Sequence, residues 1–301
     1  MRIKLFSLMI VFVMCGVTVA CMPESTMPPT LTPPTRSPAQ LTTAPSRNIL
    51  THALSLDDYQ FVIECSGEGS PVVLLLGGRA AAWKPVQEQI SRMTRTCIFD
   101  HKGSSPTPLT ALHIAENVHT LLKGAGIPAP YVLVGFSVGG YITRLFRDLN
   151  TEEVAGIVLI DSSHQDQNKR FLAALPPAAA GECLELTDYR SALQGDHILP
   201  VGPEITLDFD ASATEVREIV SGLGKIPLVV LTAGQSDWPG CFPLEVQQQL
   251  DQAWLDMQNE LASLSTHSSH IVAEQSSHGF SEQPDIVIDA VRQVVDLVRK
   301  G

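Results

Sequence analysis

Short aliphatic runs punctuate the chain, and most stop at glycine or aspartate. Val72–Leu76 ends in Gly77-Gly78, Thr96–Phe99 is closed by Asp100 and Gly103, and Val154–Ile160 ends at Asp161. Pro227–Thr232 has the same character, and Tyr131–Val134 stops at Gly135. A run apolar on both faces is what a central parallel strand covered on both sides requires. Tyr59–Glu64 and His270–Ala273 read as further strands. Between them the period changes to 3.6. Leu112, Ala115, Val118 and Leu122 form one stripe over 111–125, and Val287, Val291, Val294 and Val298 form another over 284–300. Helices are also predicted over 83–93, from Gly139 to about Leu149, and over 244–264. Strands alternating with helices predict an α/β fold, with a mostly parallel central sheet and helices on both faces. Reactive groups in such a sheet gather at the carboxyl ends of the strands. Ser137, Asp161, Asp237 and His278 each lie just beyond one of these runs.

The first 48 residues depart from this alternation. Arg2 and Lys4 precede an apolar run from Leu5 to Ala20 that is too short to favour a stable membrane span, so residues 1–21 read as a secretory signal. Its end, Thr18-Val19-Ala20-Cys21, resembles a bacterial lipobox with threonine in place of the usual leucine, which makes Cys21 the expected lipidation site. Residues 22–48 follow, and from Pro23 onward they hold seven prolines, six threonines and three charges, a composition that cannot repay its ordering entropy. An extended tether is expected, holding a domain of residues 49–301 off a membrane. That remainder is one large domain with no internal repeat.

With 20 Lys+Arg against 32 Asp+Glu, the formal charge of −12 disfavours a nucleic-acid partner and electrostatic attachment to anionic lipid. Of the six cysteines, Cys15 and Cys21 fall in the signal. Cys65, Cys97, Cys183 and Cys241 remain. An even number in an exported protein implies disulfides, with three possible pairings. None has metal-ligand spacing, and His267 and His270, an H-x-x-H on a strand edge, are read as solvated.

The chemistry centres on Tyr131–Gly140, YVLVGFSVGG. A buried strand, the pattern G-x-S-x-G at 135–139 and a following helix make a nucleophile elbow, a turn tight enough to push the Ser137 hydroxyl out above the sheet edge. Taken with LLLGGRAAAW at 74–83, CIFDHKGSS at 97–105, AGIVLIDSSH at 155–164 and QSSHGF at 275–280, the chain resembles the α/β-hydrolase fold from Leu56 to Lys300. The resemblance implies Ser137 as nucleophile and His278 as base. The acid stays open between Asp237, the position most members use, and Asp161, the position of a lipase-like minority; spacing leans to Asp237. Oxyanion donors would be the backbone N–H groups of Val138 and Arg79, with Gly77-Gly78 standing where the family often has histidine-glycine.

Residues 162–225 look like the family's lid insertion, a small helical one. On that basis Cys183 in the lid and Cys241 in the loop after Asp237 would pair above the sheet, and Cys65 would pair with Cys97 on a neighbouring strand. The implied activity is hydrolysis of an ester or related small-molecule acyl substrate through an acyl-serine, without metal or organic cofactor. Acyl transfer, cofactor-free peroxidation and a non-catalytic envelope ligand-binding role are the alternatives. Chemistries built on an aspartate nucleophile are disfavoured by the serine at 137. The membrane partner would be reached through the N-terminal lipid anchor.

Overall fold

The computed structural model describes residues 49–56, 59–201, 205–280 and 283–301. The signal, Cys21 and the tether lie outside the described residues.

An eight-stranded sheet carries the architecture. Its strands are β1 (Ile49–Leu56), β2 (Tyr59–Ser66), β3 (Val72–Leu76), β4 (Thr96–Gly103), β5 (Tyr131–Phe136), β6 (Val154–Ile160), β9 (Leu228–Ala233) and β10 (Ser268–Ala273). In space they run β1-β2-β4-β3-β5-β6-β9-β10. The pairs β1–β2 and β2–β4 are antiparallel, and every other neighbouring pair is parallel. The residues of β3 and all of β5 but its last are buried, as a doubly covered strand demands.

Successive side chains leave opposite faces of a strand, and the two cores follow that alternation. Leu74, Leu133 and Leu159 pack with residues of α2 (Ala111–Gly124), α3 (Gly139–Leu149) and α6 (Phe209–Ile219). Leu75, Val134 and Val158 pack on the other face with α1 (Ala80–Ile90) and α8 (Pro284–Lys300). The helical stripe of α8 is laid against the sheet: Val287, Val291 and Val294 are buried.

Between β6 and β9 lies the insertion, with α4 (Gln167–Ala174), α5 (Leu184–Ala192), a two-stranded antiparallel ribbon of β7 (Ile198–Pro200) and β8 (Thr206–Asp208), and α6. The ribbon departs from the purely helical expectation. Ile198 and Leu199 are exposed, so no buried run announced it. A third apolar cluster joins the insertion to α7 (Leu244–Ala262) through Phe171, Leu186, Phe242, Leu250 and Met257.

Two further differences have physical causes. Strand β1 was not expected: its full backbone ladder to β2 carries it, Ile49 and Leu50 stay exposed, and Leu54 is only partly buried against the core, so it leaves a weak apolar signal. Strand β4 runs four residues past its predicted end through Asp100, His101, Lys102 and Gly103; there it pairs with β2 rather than with β3, and the polar residues need no burial on both faces. His270 is also not solvated. It is half-buried, with Nε2 2.7 Å from Thr232 Oγ1 and Nδ1 2.9 Å from Asn259 Oδ1, and burial lowers its pKa.

Both expected disulfides form. Cys65 and Cys97 are register partners on antiparallel β2 and β4 and are fully buried. Cys183, at the start of α5, joins Cys241 in the loop before α7. Cys241 is exposed, and access governs thiol exchange. Graded reduction followed by alkylation and peptide mass spectrometry is therefore expected to label Cys183 and Cys241 at least about tenfold faster than Cys65 and Cys97. Simultaneous labelling of all four would contradict it.

Candidate active site

Ser137 stands between the end of β5 and α3 at φ 53°. Left-handed backbone at a non-glycine residue is uncommon and signals a constraint worth its strain. The turn is closed from both sides. Gly140 N donates to Ser137 O at 3.0 Å, and Ser137 N donates to Ile160 O at 3.0 Å. The flanking glycines are steric necessities: a Cβ at Gly139 would run into the Leu76 carbonyl, and one at Gly135 into Thr143 Oγ1. So the elbow is wedged against β3, and the same approach brings the Gly77 loop alongside Gly139.

That loop is braced by Trp83, whose Nε1 donates to Gly77 O at 2.6 Å. Arg79 and Val138 occupy the N-cap positions of α1 and α3. Amides at a helix N-terminus have no intrahelical acceptor and sit at the positive end of the helix dipole. The loop leading into α1 touches the start of α3 at Gly77 and Gly139. The Arg79 side chain itself is exposed.

His278 lies in the segment between β10 and α8. Its Nδ1 is 2.6 Å from Asp161 Oδ2. A carboxylate only accepts, so Nδ1 carries a proton; in the neutral imidazole Nε2 is then the nitrogen with the lone pair. The imidazole also packs on Phe136, with ring centroids 4.9 Å apart, and Phe136 in turn meets the edge of Trp83. The residue beside the serine is thus a wall against which the histidine rests.

Of the two candidate acids, the structure brings Asp161 and not Asp237 to the imidazole. Asp237 lies exposed in the loop after β9, whereas Asp161 is 3% exposed and takes the imidazole. Its oxygens are divided: Oδ2 faces His278, while Oδ1 accepts from Ala233 N at 3.1 Å and from Trp254 Nε1 on α7 at 2.8 Å. Asp161 also sits at positive φ, 40°, directly after β6. Its N–H donates to Leu231 O at 2.7 Å, which anchors it to β9. With hydrogen-bond partners on both oxygens, the buried carboxylate is fixed in direction.

The segment behind it is secured by groups that the sequence did not single out. Arg144 of α3 is wholly buried and donates to Gly140 O (3.1 Å), Gln165 Oε1 (2.9 Å) and Ser163 O (2.8 Å), with the Tyr141 ring 5.3 Å away. Burial brings its pKa down to about 10. Gln258 Nε2 donates to Ser162 O at 2.9 Å. His164 Nδ1 accepts from Asp166 N at 3.1 Å, and its Nε2 is 3.3 Å from Glu260 Oε2, whose carboxylate also pairs with Arg170. Spacing along the chain did not mark them, because the partners that fix this segment, such as Ser163 O for Arg144 and Ser162 O for Gln258, are brought near only by the fold.

The alpha/beta hydrolase family profile matches residues 72–290. YqjL of Bacillus subtilis (strain 168) is 27% identical over 225 residues, spanning 72% of this chain and 79% of that protein. A vacuolar membrane protein of Saccharomyces cerevisiae (strain YJM789) is 25% identical over 166 residues, 46% of this chain and 26% of that one. Among solved structures, a thermophilic esterase from Thermogutta terrifontis superimposes with a TM-score of 0.54 at 19% identity, covering 84% of this chain and 99% of the esterase. Cfl2 from Burkholderia cenocepacia gives 0.57 at 16%, covering 81% and 95%. At those identities the two structures speak for the fold alone.

Proposed function

The chain belongs to the alpha/beta hydrolase family, and we propose that it is a serine hydrolase acting on an ester or related small-molecule acyl substrate, with Ser137, His278 and Asp161 as its triad. The observation that carries this reading is the 2.6 Å pairing of His278 with buried Asp161 beside an elbow that holds Ser137 in left-handed backbone. In the reading, His278 Nε2 takes the Ser137 hydroxyl proton as Oγ attacks the acyl carbon. The carbonyl electron pair moves to oxygen, where the Val138 and Arg79 N–H groups meet it. Collapse expels the alcohol, which leaves with the proton from His278. Water then attacks the acyl-serine with the same base, and the acid departs. Every proton and electron pair is accounted for by serine, histidine, substrate and water.

Two features favour work outside the cytoplasm: the two disulfides, and the signal-like and lipobox-like sequence ending at Cys21. We extend the proposal to an exported enzyme held at a membrane by a lipid on Cys21 and a Pro/Thr-rich tether.

A fluorophosphonate probe tests the chemistry. The wild-type protein is expected to be labelled at Ser137 and the Ser137→Ala variant to lose at least about 99% of that labelling, because only the activated hydroxyl attacks phosphorus. No labelling of wild type, or equal labelling of both, would leave a fold retained for ligand binding. A series of p-nitrophenyl esters of increasing acyl length then reads the substrate class.

A further inference from the structure

Oδ1 of Asp161 receives a donor from an element that the serine–histidine–acid arrangement does not itself supply. Trp254 stands on α7, and its indole N–H reaches Asp161 Oδ1 at 2.8 Å. The same indole stacks on Phe171 of α4, with ring centroids 5.9 Å apart and an interplanar angle of 26°. Phe171 meets Trp238 edge-on at 5.8 Å, and Trp238 stacks on Phe242, next to Cys241, the residue disulfide-bonded to Cys183. The acid is thereby tied to the inserted lid segment through one hydrogen bond and a continuous run of rings.

We infer that Trp254 is a positioning residue for the triad acid: its N–H fixes the rotation of the Asp161 carboxylate and draws charge to Oδ1, and its ring makes that rotation depend on the lid's packing. This rests on the triad proposed above. The physical ground is the division of labour on the carboxylate. With Oδ1 held by Trp254 and by the Ala233 amide, only Oδ2 is free for His278. Without the indole donor, the carboxylate can turn about χ2, and its charge is less neutralised from behind. A more strongly charged Asp161 stabilises the imidazolium. Neutral His278, the form that acts as base, then appears only at higher pH.

Among the described residues, no other ionisable side chain is hydrogen-bonded to the pair. The hydrogen-bond and ring contacts of Asp161 and His278 among the described residues are Trp254, Ala233, Leu231 and Phe136. Of the elements packed nearby, the segment after β6 brings His164 and Asp166 and α7 brings Glu260. These engage one another, Arg170 and Arg217.

The test replaces Trp254 with 3-benzothienylalanine, which keeps the bicyclic shape and the stack on Phe171 but has no N–H. Trp254→Phe serves as the genetically encoded counterpart. Expected are a fall in kcat of about tenfold with KM within about twofold, and an acid limb of the kcat/KM profile moved up by roughly half a pH unit or more. Thermal midpoints for the isostere should stay close to wild type, which separates positioning from folding. The His278 ring titration followed by NMR reads the same upward shift without turnover, so the inference is decided even if no ester is hydrolysed. Unchanged kcat and an unchanged His278 midpoint in the isostere would overturn it. Failure of wild-type Ser137 to react with the fluorophosphonate would instead strike the hydrolase reading, and leaves the NMR midpoint to judge Trp254.

Discussion

Asp161→Asn is expected to lower kcat by about four orders of magnitude, while Asp237→Asn changes it by less than about threefold. The two substitutions are equally conservative in shape, so the contrast reports on place. At 161, an amide cannot only accept. Its NH2 group, turned toward Nδ1, would force the imidazole to present a lone pair there and to carry its proton on Nε2, the nitrogen that must receive one from serine. The indole and the Ala233 amide make the substitution worse, because both need an acceptor at Oδ1 and so direct the variant's NH2 toward His278. Asp237 is exposed and outside that arrangement. Steady-state turnover of a p-nitrophenyl ester by both variants is the measurement. Equal losses would detach the acid's role from the 2.6 Å pairing.

Acid is expected to loosen the fold well above the range in which carboxylates titrate. His164 is 2% exposed, and burial, with the Arg144 cation beside it, pushes its pKa down to about 4 from the usual 6.5. The geometry agrees: Nδ1 accepts from the Asp166 N–H, which leaves Nε2 as the single donor toward Glu260, and a second ring proton would meet an amide hydrogen. The unfolded chain therefore binds a proton near pH 6.5 that the folded chain refuses until about pH 4. Stability from this residue is fully present above pH 6.5, falls through the interval and levels off below about 4. The loss is roughly 3 kcal/mol. Urea midpoints at pH 7, 5.5 and 4 measure it. Burial lowers His101 and His270 in the same direction, so the share of His164 is the part of the slope that disappears in His164→Gln. An unaltered slope in that variant would refute the assignment.

How much of this was legible in the chain follows from what kind of signal each part leaves. Central strands announce themselves because both faces must be apolar, and α8 because one of its faces must be. Ser137 was legible because the elbow needs glycines at fixed offsets, and His278 because it follows the last strand in the order the resemblance implies. The pairing of Cys65 with Cys97 followed from strands expected to be neighbours. The proposed acid was not legible, since Asp161 and Asp237 both follow apolar runs and spacing along the chain is blind to which carboxylate becomes buried. Trp254, Arg144 and His164 left still less trace. Each is an ordinary residue of a helix or loop until the fold brings an unpaired carbonyl or carboxylate to it. Strand β1 failed to show for the opposite reason, because its ladder to β2 does most of the holding and Leu54 is only partly buried against the core.

The acid's position on β6 bears on the order in which the site can assemble. Ser137 and Asp161 are carried by adjacent parallel strands, and the turn after one is hydrogen-bonded to the turn after the other through Ser137 N to Ile160 O and Ser163 N to Ser137 O. Both precede the insertion. An acid after β9 would have had to wait for the whole of 162–225 to be looped out before meeting its neighbours, and closing a long loop delays the contacts it separates. Here nucleophile and acid belong to one short βαβ unit, and among the three proposed triad members only His278 must come in from far along the chain.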